Sequence, residues 1–507
     1  MKKRGSLFGF VFLCAILAPL DAQDFGFGFG DETEEGASGS AVSLPPAVKV
    51  GGEASAELLA YIDAVDSKEN LQKASLGDVF SGALNFSASG ANVDAVINLN
   101  LSGPVFTDMA VSAGPQYTPA IIDEAYLRAF FGPLTIEGGY RKLTWGKADS
   151  MGPLDVVNPL DYSDLTGITD IMAVKIARPM VHLSWDFGAN TRLAAVFVPA
   201  FQGHTFAMDA GDRWYPEQVS KLPQAVAAGI GSRLVENFGT IAAPYKDMLV
   251  STIAADIPAG TFQAPGTPGL EYAQTGLRFT TTLGPADLGA QYYYGNFFRP
   301  GFSLEGVDSF LADLVLNNMS QPNPPYKGKI ELLTPRIEYN RYHQLGVDYA
   351  QVLGGFNIRA EFAAHITEDL TGDDGAVKNP FLAWSLGFDR DLVWGINANI
   401  QCNETIRLLN GKIVDNPALD AEAGTDQSST RLFVQLSKKF LRDDLEVKFT
   451  NIWDIENMDL YLIPGVTWNI KDVTAEFSAG IFTGRAGGEL SQYHKNNFIR
   501  TGLSYSF

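Results

Sequence analysis

The chain is short of cysteine, of positive charge and of long apolar runs. Cys14 and Cys402 are its two cysteines in 507 residues. Cys14 falls in the leader described below, so the mature chain is left with one thiol and no internal disulfide framework. Lys and Arg total 37 against 58 Asp and Glu, a formal net charge of -21 with a pI near 4.6. Phosphate binding depends on clustered Lys and Arg, so no nucleic-acid partner is expected. Charged residues reach only 19% where soluble domains run at about 25%, which argues against a Lys/Glu-rich cytosolic enzyme. Beyond the leader no uninterrupted apolar run attains the ~18 residues of a membrane helix. The five histidines, His182, His204, His343, His365 and His494, form no HExxH and no paired metal spacing, and the chain has no GxSxG. Neither catalytic residue, metal nor cofactor is therefore expected. An outer-membrane hydrolase stays as a minor alternative, because the triad of a barrel enzyme is drawn from separate strands.

What is present begins with an export signature. Lys2, Lys3 and Arg4 form a basic start, Leu7 to Leu17 an apolar stretch, and Ala18, Leu20 and Ala22 lead to a cleavage point. Residues 1–22 are predicted to be a signal peptide. Residues 23–46 are Gly-rich and acidic, without Lys or Arg, and predict an unfolded periplasmic tail. Residues 47–507 carry everything else as one unit.

From Val48 the dominant signal is alternation of period two. Val48, Val50, Ala54, Ala56 and Leu58 share one face, and Lys49, Glu53, Ser55 and Glu57 share the other. Similar segments near 79–89, 92–103, 120–131, 134–146, 170–187, 190–200, 272–283, 286–297, 340–353, 355–367, 381–389, 392–404, 430–440, 444–454, 458–470, 472–483 and 495–507 bring the count to about eighteen strands, with sixteen as the alternative. Tight turns at Ser89-Gly90-Ala91, Gly132-Pro133, Gly188-Ala189, Gly284-Pro285, Gly354-Gly355, Asp389-Arg390-Asp391, Arg442-Asp443 and Lys471 alternate with long connections, notably 147–169, 201–271 and 298–339. The connection near Glu456 is the short exception. Helical patterns run over 216–237, with Pro216 at the start, and over Val307 to Asn318. The prediction is an all-β fold: a transmembrane antiparallel β-barrel with short periplasmic turns and long external loops holding some helix. A soluble sandwich fits less well, because faces such as Leu382, Trp384, Leu386 and Phe388 carry no charge.

The segment Gly138 to Asp164, GGYRKLTWGKADSMGPLDVVNPLDYSD, resembles a broad family of bacterial outer-membrane porin-like barrels, in which a strand runs into Trp-Gly and then an Asn-Pro-x-Asp loop. In size and strand count the chain is also similar to alginate-export-type barrels. The closing alternation Ile499, Thr501, Leu503, Tyr505, Phe507 resembles the signal recognised by the barrel-assembly machinery, which makes Tyr505 and Phe507 the candidate assembly signal. The resemblance implies an outer-membrane location in a diderm bacterium, contact with outer-membrane lipid, and passage of a small hydrophilic solute. Homo-oligomerisation is left open. The lining lacks the dense Arg/Lys wall that a polyanion exporter implies.

If the apolar face meets lipid, the alternate residues line a lumen of nearly balanced charge. Loop 147–169 is predicted to fold inward and narrow it. Candidate constriction residues are Arg128, Arg141, Lys147, Asp149, Asp155, Asp161, Arg359 and Glu361, the loop carboxylates facing Arg141 and Lys147 across the bore. For each charge the competing expectation is a cross-strand ion pair, and for Asn158-Pro159 and Asp161 a turn. The function this supports is passive or gated diffusion of small hydrophilic solutes. A surface adhesin or receptor acting through 201–271 is the alternative.

Overall fold

In this computed structural model, the residues described are 47–62, 80–101, 121–209, 211–256, 266–267, 269–317, 332–485 and 488–507. The predicted leader and tail lie outside them. In chain order the strands are β1 (Ala47–Tyr61), β2 (Phe80–Ser89), β3 (Val93–Leu101), β4 (Ile122–Phe131), β5 (Leu134–Arg141), β6 (Asp161–Tyr162), β7 (Arg178–Asp186), β8 (Thr191–Val198), β9 (Thr205–Phe206), β10 (Gln274–Leu283) and β11 (Ala286–Asn296). They continue as β12 (Gly301–Glu305), β13 (Thr334–Glu338), β14 (Arg341–Leu353), β15 (Phe356–Thr367), β16 (Phe381–Asp391), β17 (Ile396–Arg407), β18 (Ser428–Phe440), β19 (Leu445–Asp454), β20 (Asp459–Ile470), β21 (Val473–Thr483) and β22 (Phe498–Ser506).

Eighteen of these form one antiparallel sheet in which each strand pairs with its neighbours in sequence. The short pairs β6–β9 and β12–β13 stand apart from it in the loops. β22 pairs with β1, Phe498 opposite Tyr61 and Ser506 opposite Glu53, so the sheet closes on itself. Closure leaves no row of unpaired N–H and C=O groups, the condition for a sheet to sit in hydrocarbon. The outward set is the apolar one: Leu277, Leu345, Val347, Phe362, Leu386, Phe477 and Leu503 are all exposed on the outer surface. Their strand neighbours Ser385, Gln344 and Glu361 are buried inside. The period-two inference thus gives the right sides, in the inverted sense expected of a membrane barrel.

The turns answer to their residues. Gly132, Gly188, Gly284, Gly354 and Gly355 all hold positive φ at short turns, and Lys471 takes φ 56 between β20 and β21. Two expectations are corrected. Asp389, Arg390 and Asp391 belong to β16, and the chain reverses over residues 392–395, where Trp394 and Gly395 take φ 64 and 68. Residues 170–177 are not strand: Asp170 accepts from Met172 N and Ala173 N and so caps a one-turn helix, α1 (Ile171–Val174).

The external loops hold α2 (Glu217–Phe238), α3 (Lys246–Asp256) and α4 (Val307–Asn317). α2 and α4 lie where the sequence places helices, and Pro216 is the residue before α2. α3 has no clean apolar stripe and was not foreseen. The three pack into one core: Val226, Ile230 and Leu234 of α2 against Leu249 and Ile253 of α3, Phe310 and Leu311 of α4, and Ala418.

Candidate functional site

The chain leaves β5 at Arg141 and returns to the wall at Arg178. Between them it crosses the lumen. The base of this crossing loop is stapled by Asn158, whose side chain accepts from Leu143 N (2.8 Å) and donates to Arg141 O and Ile176 O (2.9 Å each). Buried Lys175 ties the same region together, Nζ reaching Asp155 Oδ2 at 2.7 Å, Thr144 Oγ1 at 2.7 Å and Leu143 O at 2.9 Å. Trp145 packs edge-on against Tyr293 of β11. The Asn158-Pro159 motif therefore organises the loop's own backbone.

The far end of the loop is received by the opposite wall. Glu361 of β15 accepts from the backbone N–H groups of Lys147, Ala148 (2.6 Å) and Leu154 (3.2 Å). Glycine makes this wrap possible: Gly146 has φ 98, and a Cβ there would strike Glu361 Oε1, while one on Gly152 would lie 2.6 Å from Oε2. Gln401 of β17 accepts from Asp149 N (2.8 Å) and donates to Ser150 O (2.5 Å), and Asn403 donates to Ser150 O and Met151 O. Gln344 donates to Pro153 O (2.8 Å), and Gln291 to Leu154 O (2.9 Å). Following neighbour pairs from β5 through β7, β8, β10, β11, β14, β15 and β16 to β17 makes eight steps in a ring of eighteen, almost a full diameter. The returning limb meets the remaining wall: Tyr461 of β20 donates to Leu165 O (3.2 Å), and Arg500 of β22 to Thr166 Oγ1 (2.9 Å).

Of the candidate residues, this geometry brings together Lys147, Asp149, Arg359 and Glu361. Arg359 pairs with Asp149 of the loop and Asp389 of β16, and Asn399 donates to Asp149 Oδ2 (2.9 Å). Lys147 Nζ lies 3.9 Å from Asp287. Arg141 and Arg128 are elsewhere: both pair with Glu137 on the β4–β5 wall, where Arg141 also lies over the Tyr126 ring and His182 meets Glu137 at 2.7 Å. Asp155 faces Lys175, not Arg141. Asp161 Oδ1 accepts from Ser163 N (2.9 Å), a turn contact. The receptors Gln291, Gln344, Asn399 and Gln401 were legible only as polar lumen positions, and Asn158 only as a turn former.

The two arcs of the wall differ as a result. From β5 to β17 the lumen residues Gln291, Glu361 and Gln401 are buried with hydrogen bonds to the loop, and Glu137, Ser184, Arg278, Asp348 and Ser385 are buried on the same arc. On the other arc Asn85, Lys448 and Glu476 are exposed, and Asn98 and Asn451 half-buried.

Above the crossing loop lies a second long segment. Residues 201–271 start at β8 and return at β10, yet Trp214 packs edge-on against Tyr61 of β1 and Phe482 of β21, and Glu217 N donates to Gln492 Oε1 (2.9 Å). The described part of the segment that leads into α2 thus reaches from β8 to the β1 and β21 side of the external mouth. Between the crossing loop and Phe297, Phe298, Arg299, Lys378 and Phe381 at the external ends of the wall strands, with His204 at its edge, is a chamber of about 330 Å³. Its cations are Arg299 and Arg431, joined through Glu489 (Arg299 at 3.1 Å), and Lys378, which lies over the Phe297 ring. Arg431, and then Arg299, hold the Glu489 carboxyl down at about 2 against opposing burial. Burial, and then Arg299, bring Lys378 down to about 8, and the same causes bring His204 down to about 3, so His204 is neutral. Its Nδ1 accepts from Leu160 N (2.8 Å), which leaves the proton on Nε2. Among the described residues no group of three or more His, Cys, Asp or Glu is placed to hold a metal ion.

No family model and no curated protein matches the chain. Solved structures do. A BenF-like porin from Pseudomonas fluorescens is 8% identical over 91% of this chain and 98% of its own, with a TM-score of 0.44. OccK2 of Pseudomonas aeruginosa is 7% identical over 91% and 97%, TM-score 0.41. The outer membrane channel DcaP of Acinetobacter baumannii is 10% identical over 91% and 98%, TM-score 0.36. The chain's own pairing defines its architecture: it is a closed antiparallel β-barrel of eighteen strands.

Proposed function

We propose that the protein is an outer-membrane channel for passive or gated diffusion of small hydrophilic solutes, with the crossing loop as its constriction. The observation that carries this is the division of the lumen. The arc from β5 to β17 receives most of the loop's hydrogen bonds, while the other arc meets it at Tyr461 and Arg500 and keeps Asn85, Lys448 and Glu476 in solvent. A barrel of eighteen strands is wider than its side chains can fill, so an inward loop that occupies one arc restricts a bore without abolishing it. The charges proposed to face the solute at the loop tip are Lys147, Asp149 and Arg359, with Glu361 buried behind them as the anchor of the loop, while Arg128 and Arg141 act at the wall. Export through a leader at residues 1–22 and insertion by the barrel-assembly machinery with Tyr505 and Phe507 as its signal belong to the same proposal. The segment 201–271 is read as a lid instead of an adhesin, because its helices bury their apolar face against α4 and Ala418 and its start packs on the barrel wall.

Planar-bilayer recording of the purified full chain tests this. Discrete openings with a reversal potential that responds to a salt gradient are expected. A chain that inserts, retains its β spectrum and never conducts overturns the channel.

A further inference from the structure

The chamber has more donors than the surrounding carboxylates use. Three cations border it, Arg299, Lys378 and Arg431. Arg299 meets Glu489 at 3.1 Å and Arg431 meets Glu489 and Asp454, carboxylates behind the lining, while Arg407 and Glu422 pair with each other at 3.1 Å outside it. Lys378 is the surplus charge, and among the described residues it forms no ion pair. Asp155 also borders the chamber but is matched by Lys175. A second, independent feature is His365, 6% exposed and bordering the same space. The amide chain fixes its tautomer: Gln291 Nε2 donates to Gln344 Oε1 (2.7 Å), Gln344 Nε2 faces His365 Nε2 (3.0 Å), and so Nδ1 carries the proton. That Nδ1 is buried with no partner. His204 contributes a third N–H at Nε2. Buried donors without acceptors are costly unless something supplies the acceptor.

The rest of the lining mixes aliphatic side chains, Met151, Val156, Leu160 and Ile171, with an aromatic group. Tyr162, Phe297, Phe298, Tyr342 and Phe381 border the space, with His365 stacked on Phe381 at 4.1 Å and Phe297 on Tyr342 at 4.3 Å. Flat apolar walls with one unmatched positive charge suit a flat apolar body bearing one negative group.

We propose that this chamber binds a small aromatic carboxylate, its anionic group at Lys378 and its ring among Phe297, Tyr342 and Phe381. The site rests on the channel reading only in standing on the proposed route. Burial is the first cause that lowers the pKa of Lys378, and Arg299 and Arg407 lower it further, which agrees with a surplus of positive potential around it.

Calorimetric titration of the full chain in detergent with phenylacetate tests the site, with acetate and 2-phenylethanol as probes lacking the ring or the charge. Phenylacetate is expected to bind about tenfold or more tighter than either, and Lys378→Gln to lose about that factor for phenylacetate while leaving 2-phenylethanol unchanged. Lys378→Arg should restore binding. Equal affinity for phenylacetate and 2-phenylethanol, no binding at all, or full binding by a folded K378Q chain overturns the proposal; if K378Q does not fold, the ranking of the three probes on the parent decides. Bilayer current from the same preparation keeps the readings apart. Conduction without phenylacetate binding removes the site alone, and binding without conduction removes the channel alone.

Discussion

Replacing Glu361 with Gln attacks the crossing loop at the point where most of its backbone converges. One carboxylate accepts from Lys147 N, Ala148 N (2.6 Å) and Leu154 N (3.2 Å). Hydrogen bonds to a charged acceptor contribute about 1.5–3 kcal/mol each. Gln keeps one acceptor oxygen, and its NH₂ group confronts an N–H donor on the other side. One charge-assisted bond is lost outright and the others fall to neutral strength, a loss of about 3 kcal/mol in loop docking. At about 1.4 kcal/mol per factor of ten, the docked-to-released ratio drops by roughly two orders of magnitude. The Gln401, Asn403 and Arg359 contacts remain, so the barrel itself should fold and keep its heat-modifiable mobility. The assay is amide hydrogen exchange over residues 147–154 together with single-channel recording. Exchange of the Lys147, Ala148 and Leu154 amides should accelerate about 100-fold, and a larger conductance level should appear. Unchanged exchange and unchanged conductance in a folded E361Q chain would refute the claim that this carboxylate holds the constriction.

Charge at the loop tip should set selectivity. Arg359→Gln is expected to move the reversal potential under a salt gradient toward cations and Asp149→Asn toward anions, while Asp161→Asn, a turn residue, should leave it in place; identical potentials for all three would remove the tip from the route. The link that Glu489 makes between Arg299, at the start of an external loop, and Arg431 of β18 should be acid-sensitive. Because Arg431 and Arg299 hold that carboxyl at about 2 against an ordinary 4.5, its stabilisation is complete above about pH 4.5 and is lost as pH falls through 2, so open probability should rise over that window in the parent and not in Glu489→Gln. The closing seam should be intolerant of bulk: a Cβ on Gly52 would lie 2.6 Å from Ala83 O and 2.8 Å from the Phe507 ring, so Gly52→Leu and deletion of Phe507 should each lower the heat-modifiable fraction, and full folding of both would show that the seam does not depend on this contact.

The eighteen strands were legible because lipid imposes a strict rule on them. Each outward position must be apolar and each inward one can be polar, so Leu277, Phe279 on β10 and Leu345, Val347 on β14 repeat the same signal along the whole chain. Residue type also locates most turns, since positive φ selects Gly. It fails at residues 392–395, where the reversal is carried by Trp394 and Gly395, and the acidic cluster beside it misleads because Asp389 serves as a partner for Arg359. Helices α2 and α4 keep an apolar stripe and were visible; α3 does not and was not.

The site was less legible for a physical reason. Parity along a strand says that Gln344, Glu361 and Gln401 point into the lumen, but it carries no information about what they meet there, because the partner is a loop more than two hundred residues away from Glu361 and Gln401 in sequence. A polar lumen wall was taken to mean water. On the arc from β5 to β17 it means backbone: a loop with no strand partner has N–H and C=O groups that must be satisfied, and Gln, Asn and Glu are the side chains long enough to reach them from a wall. The same amides therefore cannot also solvate a passing solute, and their replacement by apolar residues should loosen the loop before it changes the chemistry of the bore. On the proposed channel reading, solute contact falls to exposed lumen residues such as Asn85, Lys448 and Glu476 and to the charges at the loop tip.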